Sequence, residues 1–190
     1  MDLGSLHPKD GSIHSDKKVA LGYRLALGLN AAIYAEGAVV WEGPRARAAT
    51  VTAGHGLAAA GARGKDSDPY AAATSRSVTV EFATAAPAGI SLNATAAACP
   101  PVILPVFCTG AGFELLVDGN WTHAAGVSPG PPSNISAGTF FTVVVHPPAA
   151  VGGSAIERVR YAYADWPVVN IRNNDADALP ARLFDIPVGT

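Results

Sequence analysis

Two near-copies of one seven-residue phrase, Gly4-Ser5-Leu6-His7-Pro8-Lys9-Asp10 and Gly11-Ser12-Ile13-His14-Ser15-Asp16-Lys17, each carry a histidine. An imidazole titrates near neutral pH, so a histidine on a polar loop directly before a helix is well placed to act as a general base. Such a base needs a hydroxyl or water to activate. Gly126-Val127-Ser128-Pro129-Gly130 fits the G-x-S-x-G pattern of a nucleophile elbow. An elbow requires a strand before the serine and a helix after it. Pro129, Pro131 and Pro132 forbid that helix, and Ser128 is expected to be a loop serine. His55, His123 and His146 stand isolated in loops or at strand ends and read as structural or solvated.

Cys99 and Cys108 are the only cysteines and flank a proline-stiffened segment. A bridge between them would close a short loop and add about 2.5 to 3 kcal/mol on the loop-entropy model. Two buried free thiols in a β core are the equal alternative. No further cysteine and no paired histidine lies at ligand spacing, so neither a metal nor another cofactor is expected. Asn93-Ala94-Thr95, Asn120-Trp121-Thr122 and Asn134-Ile135-Ser136 are three glycosylation sequons, all in turn-rich stretches, and they favour a secreted or lumenal history. The residues after Met1 form neither a basic start nor an apolar core of a secretory signal.

The formal net charge of −2, from 13 Lys and Arg against 15 Asp and Glu, comes with no basic run that could track phosphates. Nucleic acid is not expected as a partner. Gly, Pro and polar residues break the Ala-rich stretches well short of the roughly 20 apolar residues that span a bilayer, so no membrane partner is expected.

Positioning falls to a few elements. Leu21, Leu25, Leu29 and Ile33 recur every four residues and predict a helix over 17–34, with Ser15 or Asp16 as its cap and Gly37 as its stop. Val39-Val40-Trp41 is expected as a short strand that Gly43-Pro44 ends. Beyond Pro44, β-rich runs at 50–52, 78–82, 102–107, 113–117, 139–145 and 159–163 alternate with turn residues, as in an antiparallel sandwich. Asp118-Gly119 predicts a two-residue hairpin turn. The Ala-, Gly-, Ser- and Pro-rich segments 53–73 and 124–137 are expected to be loops or partly disordered, and the chain is expected to end in loops around Pro167, Pro180 and Pro187.

Gly11-Ser12-Ile13-His14, Asp16-Lys17, Tyr23-Arg24-Leu25, Ala35-Glu36-Gly37 and Trp41-Glu42-Gly43-Pro44 resemble the catalytic-histidine region of the sialate O-acetylesterases. That family runs close to G-S-I-H-P-R-D-K, a helix with Y-R-L, Y-G-E, and a strand ending in G-P. Phe113-Glu114, Asp118-Gly119-Asn120-Trp121, Val159-Arg160-Tyr161-Ala162-Tyr163, Asp165-Trp166-Pro167, Asn170, Leu179-Pro180-Ala181 and Phe184 are similar to its closing signature, in the same order. The resemblance implies an α+β chain: residues 1–44 as an N-terminal helix remnant of an SGNH α/β hydrolase core, then 45–190 as an antiparallel β-sandwich-like domain. It also implies a serine esterase acting on O-acetyl esters of sialic acid or related sugars, and a secreted or lysosomal location.

Counting back from Tyr23-Arg24-Leu25 places the family's catalytic histidine on His14, while the proline that usually follows it is Pro8, beside His7. His14 is favoured, with His7 as the alternative. The aspartate such enzymes place three residues earlier is replaced by Gly11 or Gly4, and the family's Gly-Gln-Ser or Gly-Asp-Ser nucleophile block is not in the sequence. The resemblance therefore implies the C-terminal part of an esterase, its partner an SGNH core in cis. Alternatives are a non-catalytic carbohydrate-binding or stabilising β module, or the remnant of a truncated gene. For the binding module, Tyr161 and Tyr163 are expected to share one strand face and, with Trp121 and Trp166, could stack on a sugar.

Overall fold

The computed structural model describes residues 18–34, 39–53, 76–85, 88–93, 110–131, 133–135, 138–151, 153–163, 169–174 and 177–189. One α-helix, one short 3-10 helix (Ala149–Val151) and eleven strands are present among them, the strands pairing antiparallel, so the chain is α+β with a β-rich domain. The α-helix is α1 (Lys18–Ile33).

The first sheet is built where polar and apolar residues alternate, which in an extended chain sends them to opposite faces. It runs β1 (Arg45–Ala53), β2 (Arg76–Ala83), β8 (Gly138–His146), β6 (Gly126–Pro129), with β7 (Ser133–Ile135) also on β8. Val78, Val80 and Phe82 of β2 and Val143 and Val145 of β8 are fully buried. Register Val78↔Val145, Val80↔Val143 sets these side chains opposite one another on the inner face. Each contributes roughly 1.5 to 3 kcal/mol relative to an exposed side chain.

The second sheet runs β11 (Phe184–Pro187), β9 (Ile156–Tyr161), β4 (Phe113–Val117), β5 (Asn120–His123). Phe113, Leu115 and Val117 point inward from β4 and Val159 and Tyr161 from β9. The register passes from Leu116↔Arg158 to Val117↔Ile156, skipping Glu157. This bulge is why Ile156 and Val159, three residues apart, are both buried. Across the sheets Phe82 meets Phe184 edge-on at 5.8 Å, and within the second sheet Phe113 lies 4.9 Å from its strand partner Tyr161. The inner faces of the two sheets therefore share one core. A smaller pair, β10 (Ile171–Asn173) on β3 (Ile90–Leu92), adds Ile171 to it.

Several expectations are met here and several corrected. Asp118 and Gly119 both have positive φ, 49° and 75°, as a type I′ turn between β4 and β5 demands. Val39, Val40 and Trp41 are not a strand. The segment 124–137 holds β6 and β7, and the C-terminal residues hold β10 and β11, where loops were expected. In each case the run is three or four residues long, too short to show a period, and the neighbouring strand supplies the pairing. Segments 54–73 and 102–107, both cysteines, the cap candidates Ser15 and Asp16, and the stop at Gly37 lie outside the described residues.

Candidate functional site

His7 and His14 lie outside the described residues, as does Trp166. What can be described is the rod that follows the histidines and the surface it rests on.

Helix α1 is apolar on nearly every side; Lys18, Tyr23, Arg24 and Asn30 are its only residues with polar side-chain atoms. A helix of this kind is ordinarily an interior element. Yet none of its residues is buried, and Leu25 and Ile33 are 63% and 66% exposed. The predicted stripe is thus real but uncovered among the described residues. An open apolar groove of about 450 Å³ runs along it, lined by Leu25, Gly28, Leu29, Ala32 and Trp41 together with Arg24. On its other side the helix is tied to the β domain by Tyr23, whose hydroxyl donates to Asp177 Oδ1 at 2.7 Å.

The stretch following the helix is locked to the C-terminal segment. Gly43 and Pro44 are buried, and a Cβ built at Gly43 collides with the Pro180 carbonyl oxygen. Only glycine permits that approach. Arg182 N donates to Pro44 O at 3.1 Å, and Arg182 and Arg45 both pair with the Glu42 carboxylate. Two motifs more than a hundred residues apart, Trp41-Glu42-Gly43-Pro44 and Leu179-Pro180-Ala181, therefore meet in space.

The other motif residues are mostly scaffold. The Tyr161 hydroxyl accepts hydrogen bonds from Asn170 N at 2.9 Å and Ile171 N at 3.1 Å, holding the segment that enters β10. Its ring stacks on Phe184 at 5.7 Å. The expectation that Tyr161 and Tyr163 share a face is corrected. Ala162 has φ of 56°, which ends the strand, and Tyr161 is fully buried while Tyr163 is 56% exposed. On the outer face Arg160 donates from Nε to Glu114 Oε2 at 2.7 Å, and its guanidinium lies 4.0 Å from the Trp121 ring and 4.8 Å from the Tyr163 ring. His123 approaches the same carboxylate, Nδ1 to Oε1 at 3.4 Å, so it is not isolated.

One pairing went unseen in the sequence. Ser128, expected in a loop, lies on β6, and its Oγ is 2.9 Å from Nε2 of His146 on β8. Register Gly126↔His146 and Ser128↔Val144 makes them diagonal neighbours on one sheet face. A serine hydroxyl against an imidazole is the first contact of a nucleophile and its base. The rest of that machinery is not built here. Among the described residues no carboxylate is hydrogen-bonded to His146 to orient it. The backbone N–H that follows a nucleophilic serine and helps bind the oxyanion is missing by covalent structure, since residue 129 is proline. No helix follows either; β6 runs to Pro129 and its pairing to β8. The contact serves as a cross-strand hydrogen bond. Strand pairing, the only signal for it, was hidden because the four residues of β6 include a glycine and a proline.

Among the described residues no group of three or more His, Cys, Asp or Glu could hold a metal ion, and no helix is long and apolar enough to cross a membrane. No family model matches the chain, and no curated protein matches it.

Proposed function

We propose that this chain is the C-terminal part of a serine O-acetylesterase of the sialate O-acetylesterase type, removing acetyl groups from sialic acids or related sugars in a secreted or lysosomal setting. In this reading His14, with His7 as the alternative, takes the proton of a serine supplied by an SGNH core, and α1 is one layer of that core. The serine oxygen attacks the acetyl carbonyl, the histidine returns the proton to the departing sugar hydroxyl, and water then releases acetate.

The observation that carries the reading is the surface of α1, which no described residue covers. Its half-exposed leucines are residues that folding places inside, and leaving them in water forfeits about 25 cal/mol per Å² of apolar area. A second layer of structure over the groove removes that cost. The meeting of Gly43-Pro44 with Pro180 supports the same reading, because it makes the helix region and the β domain neighbours rather than independent beads.

Fragment complementation tests it. The chain alone is expected to hydrolyse neither p-nitrophenyl acetate nor O-acetylated sialic acid. Mixed with the serine-bearing core of a sialate O-acetylesterase that lacks its own C-terminal part, it should restore turnover, and His14→Ala should abolish that gain. A stable complex with no turnover, or turnover indifferent to both His14→Ala and His7→Ala, rejects the proposal.

A second reading rests on Tyr163 and Trp121, whose rings lie against the Arg160 guanidinium with Tyr163 facing solvent. A non-catalytic sugar-binding module would use them, and Tyr163→Ala would then end glycan retention while changes at His7 and His14 left it intact. Tyr161 has no part in this reading, because it is wholly within the core.

A further inference from the structure

Of the three sequons, only Asn120-Trp121-Thr122 falls with all its side chains among the described residues. It occupies β5, which stands at the outer end of the four-stranded sheet. Asn120 is the first residue after the Asp118-Gly119 turn and is exposed. Its side-chain amide makes one local bond, Nδ2 to Asp118 O at 3.0 Å, which any competing partner can replace without disturbing the core. Successive side chains of a strand alternate between faces, so Thr122 projects on the same side as Asn120, while Trp121 turns the other way to lie against Arg160 at 4.0 Å. The hydroxyl and amide that define the acceptor thus stand together, and the bulky middle residue is held clear of them.

We propose that Asn120 is an N-linked glycosylation site, its oligosaccharide drawn from a polyprenyl-diphosphate donor. The Asn120 nitrogen forms the bond to the anomeric carbon, the bond from that carbon to the diphosphate oxygen breaks with its electron pair, and the amide gives up one proton to the transferase's base. The proposal rests on the secreted or lysosomal location read above and not on the esterase chemistry, so an inactive chain leaves it untouched. The position has a structural use. In this hairpin the Val117↔Asn120 pair closes the turn, so the backbone groups of Trp121 and His123 face away from β4 toward an edge that no strand among the described residues pairs. An unpaired edge is a template for association with another chain, and a glycan at its first residue blocks that approach.

The full chain, translated behind a cleavable leader in the presence of endoplasmic-reticulum microsomes, decides the matter. Peptide mass spectrometry after amidase release in heavy-oxygen water should mark Asn120 as a labelled aspartate. Asn120→Gln and Thr122→Ala should each remove one glycan from the gel pattern, and Thr122→Ser should keep it. An unlabelled Asn120 in the translocated chain overturns the proposal, whether or not Asn93 or Asn134 is modified. Loss of the same glycan in Thr122→Ser would overturn it as well, since that change preserves the acceptor motif.

Discussion

Helix α1 and the β domain use the same kinds of residue to opposite ends. In the β domain Leu115, Val80 and Val143 have no exposure at all, whereas Leu25 of the helix is 63% exposed. Leucine's chemistry is identical in both places; the difference is whether a second surface is present. Sheet one finds it in sheet two, through contacts such as Phe82 against Phe184. Among the described residues the helix meets the ring of Trp41 near Gly28 and is tied to the β domain by Tyr23 on Asp177. The contrast teaches that the β domain buries its apolar residues against its own second sheet, whereas those of the helix stay open among the described residues.

Mutations should separate the two regions cleanly. Phe113→Ala strips a ring that touches both Tyr161 and Phe184 and should cost about 3 to 5 kcal/mol in the denaturant unfolding of the β domain. A loss under about 1 kcal/mol would mean the inter-sheet core is not the source of stability. Gly43→Ala drives a methyl into the Pro180 carbonyl and should cost about 1 to 3 kcal/mol, read as a lowered melting temperature. Should it be neutral, the junction between helix region and β domain is not held as described.

Tyr161→Phe keeps the packing but leaves two buried N–H groups, those of Asn170 and Ile171, without their acceptor. The expected loss is about 1 to 3 kcal/mol, with amide exchange at Ile171 accelerated most. Ser128→Ala removes only a half-buried cross-strand hydrogen bond and should cost about 0.5 to 1.5 kcal/mol, with acetyl-ester turnover in the complementation mixture unchanged. Turnover that vanished in that variant would reinstate Ser128 as a nucleophile. Smallest of all, Leu25→Ala should move β-domain stability by no more than about 0.5 kcal/mol, because the side chain gives up little on a surface it does not bury. In the complementation mixture the same change should instead weaken assembly with the hydrolase core, a measurement by titration calorimetry that sharpens the contrast further.

How far the residues announced these arrangements depended on length and period. The helix with leucines every four positions was legible over Lys18–Ile33, and so was the strand Phe113–Val117 with its Asp-Gly turn. Both rest on local chemistry. Strand β6, with glycine first and proline last, carries no such signal and exists because β8 offers it a ladder. Once it forms, Ser128 and His146 are neighbours, and two residues dismissed separately become a pair. Tyr163 was misplaced for a comparable reason. Alternation predicts that it follows Tyr161 inward, but the left-handed turn at Ala162 cannot be foreseen from an alanine, which rarely adopts it.

The sequence by itself determined the mixed α+β character, the helix stripe, the strand runs that became β2 and β4, and the hairpin turn, since each follows from side-chain composition, periodicity or backbone permission over a few neighbouring residues. The tertiary structure alone decided that the stripe lies open among the described residues, that Gly43 is pressed against Pro180, that Tyr161 is core while Tyr163 faces water, and that a serine and a histidine share a hydrogen bond. Those outcomes depend on which distant surface arrives at each residue, and periodicity encodes which face is apolar without encoding what will cover it.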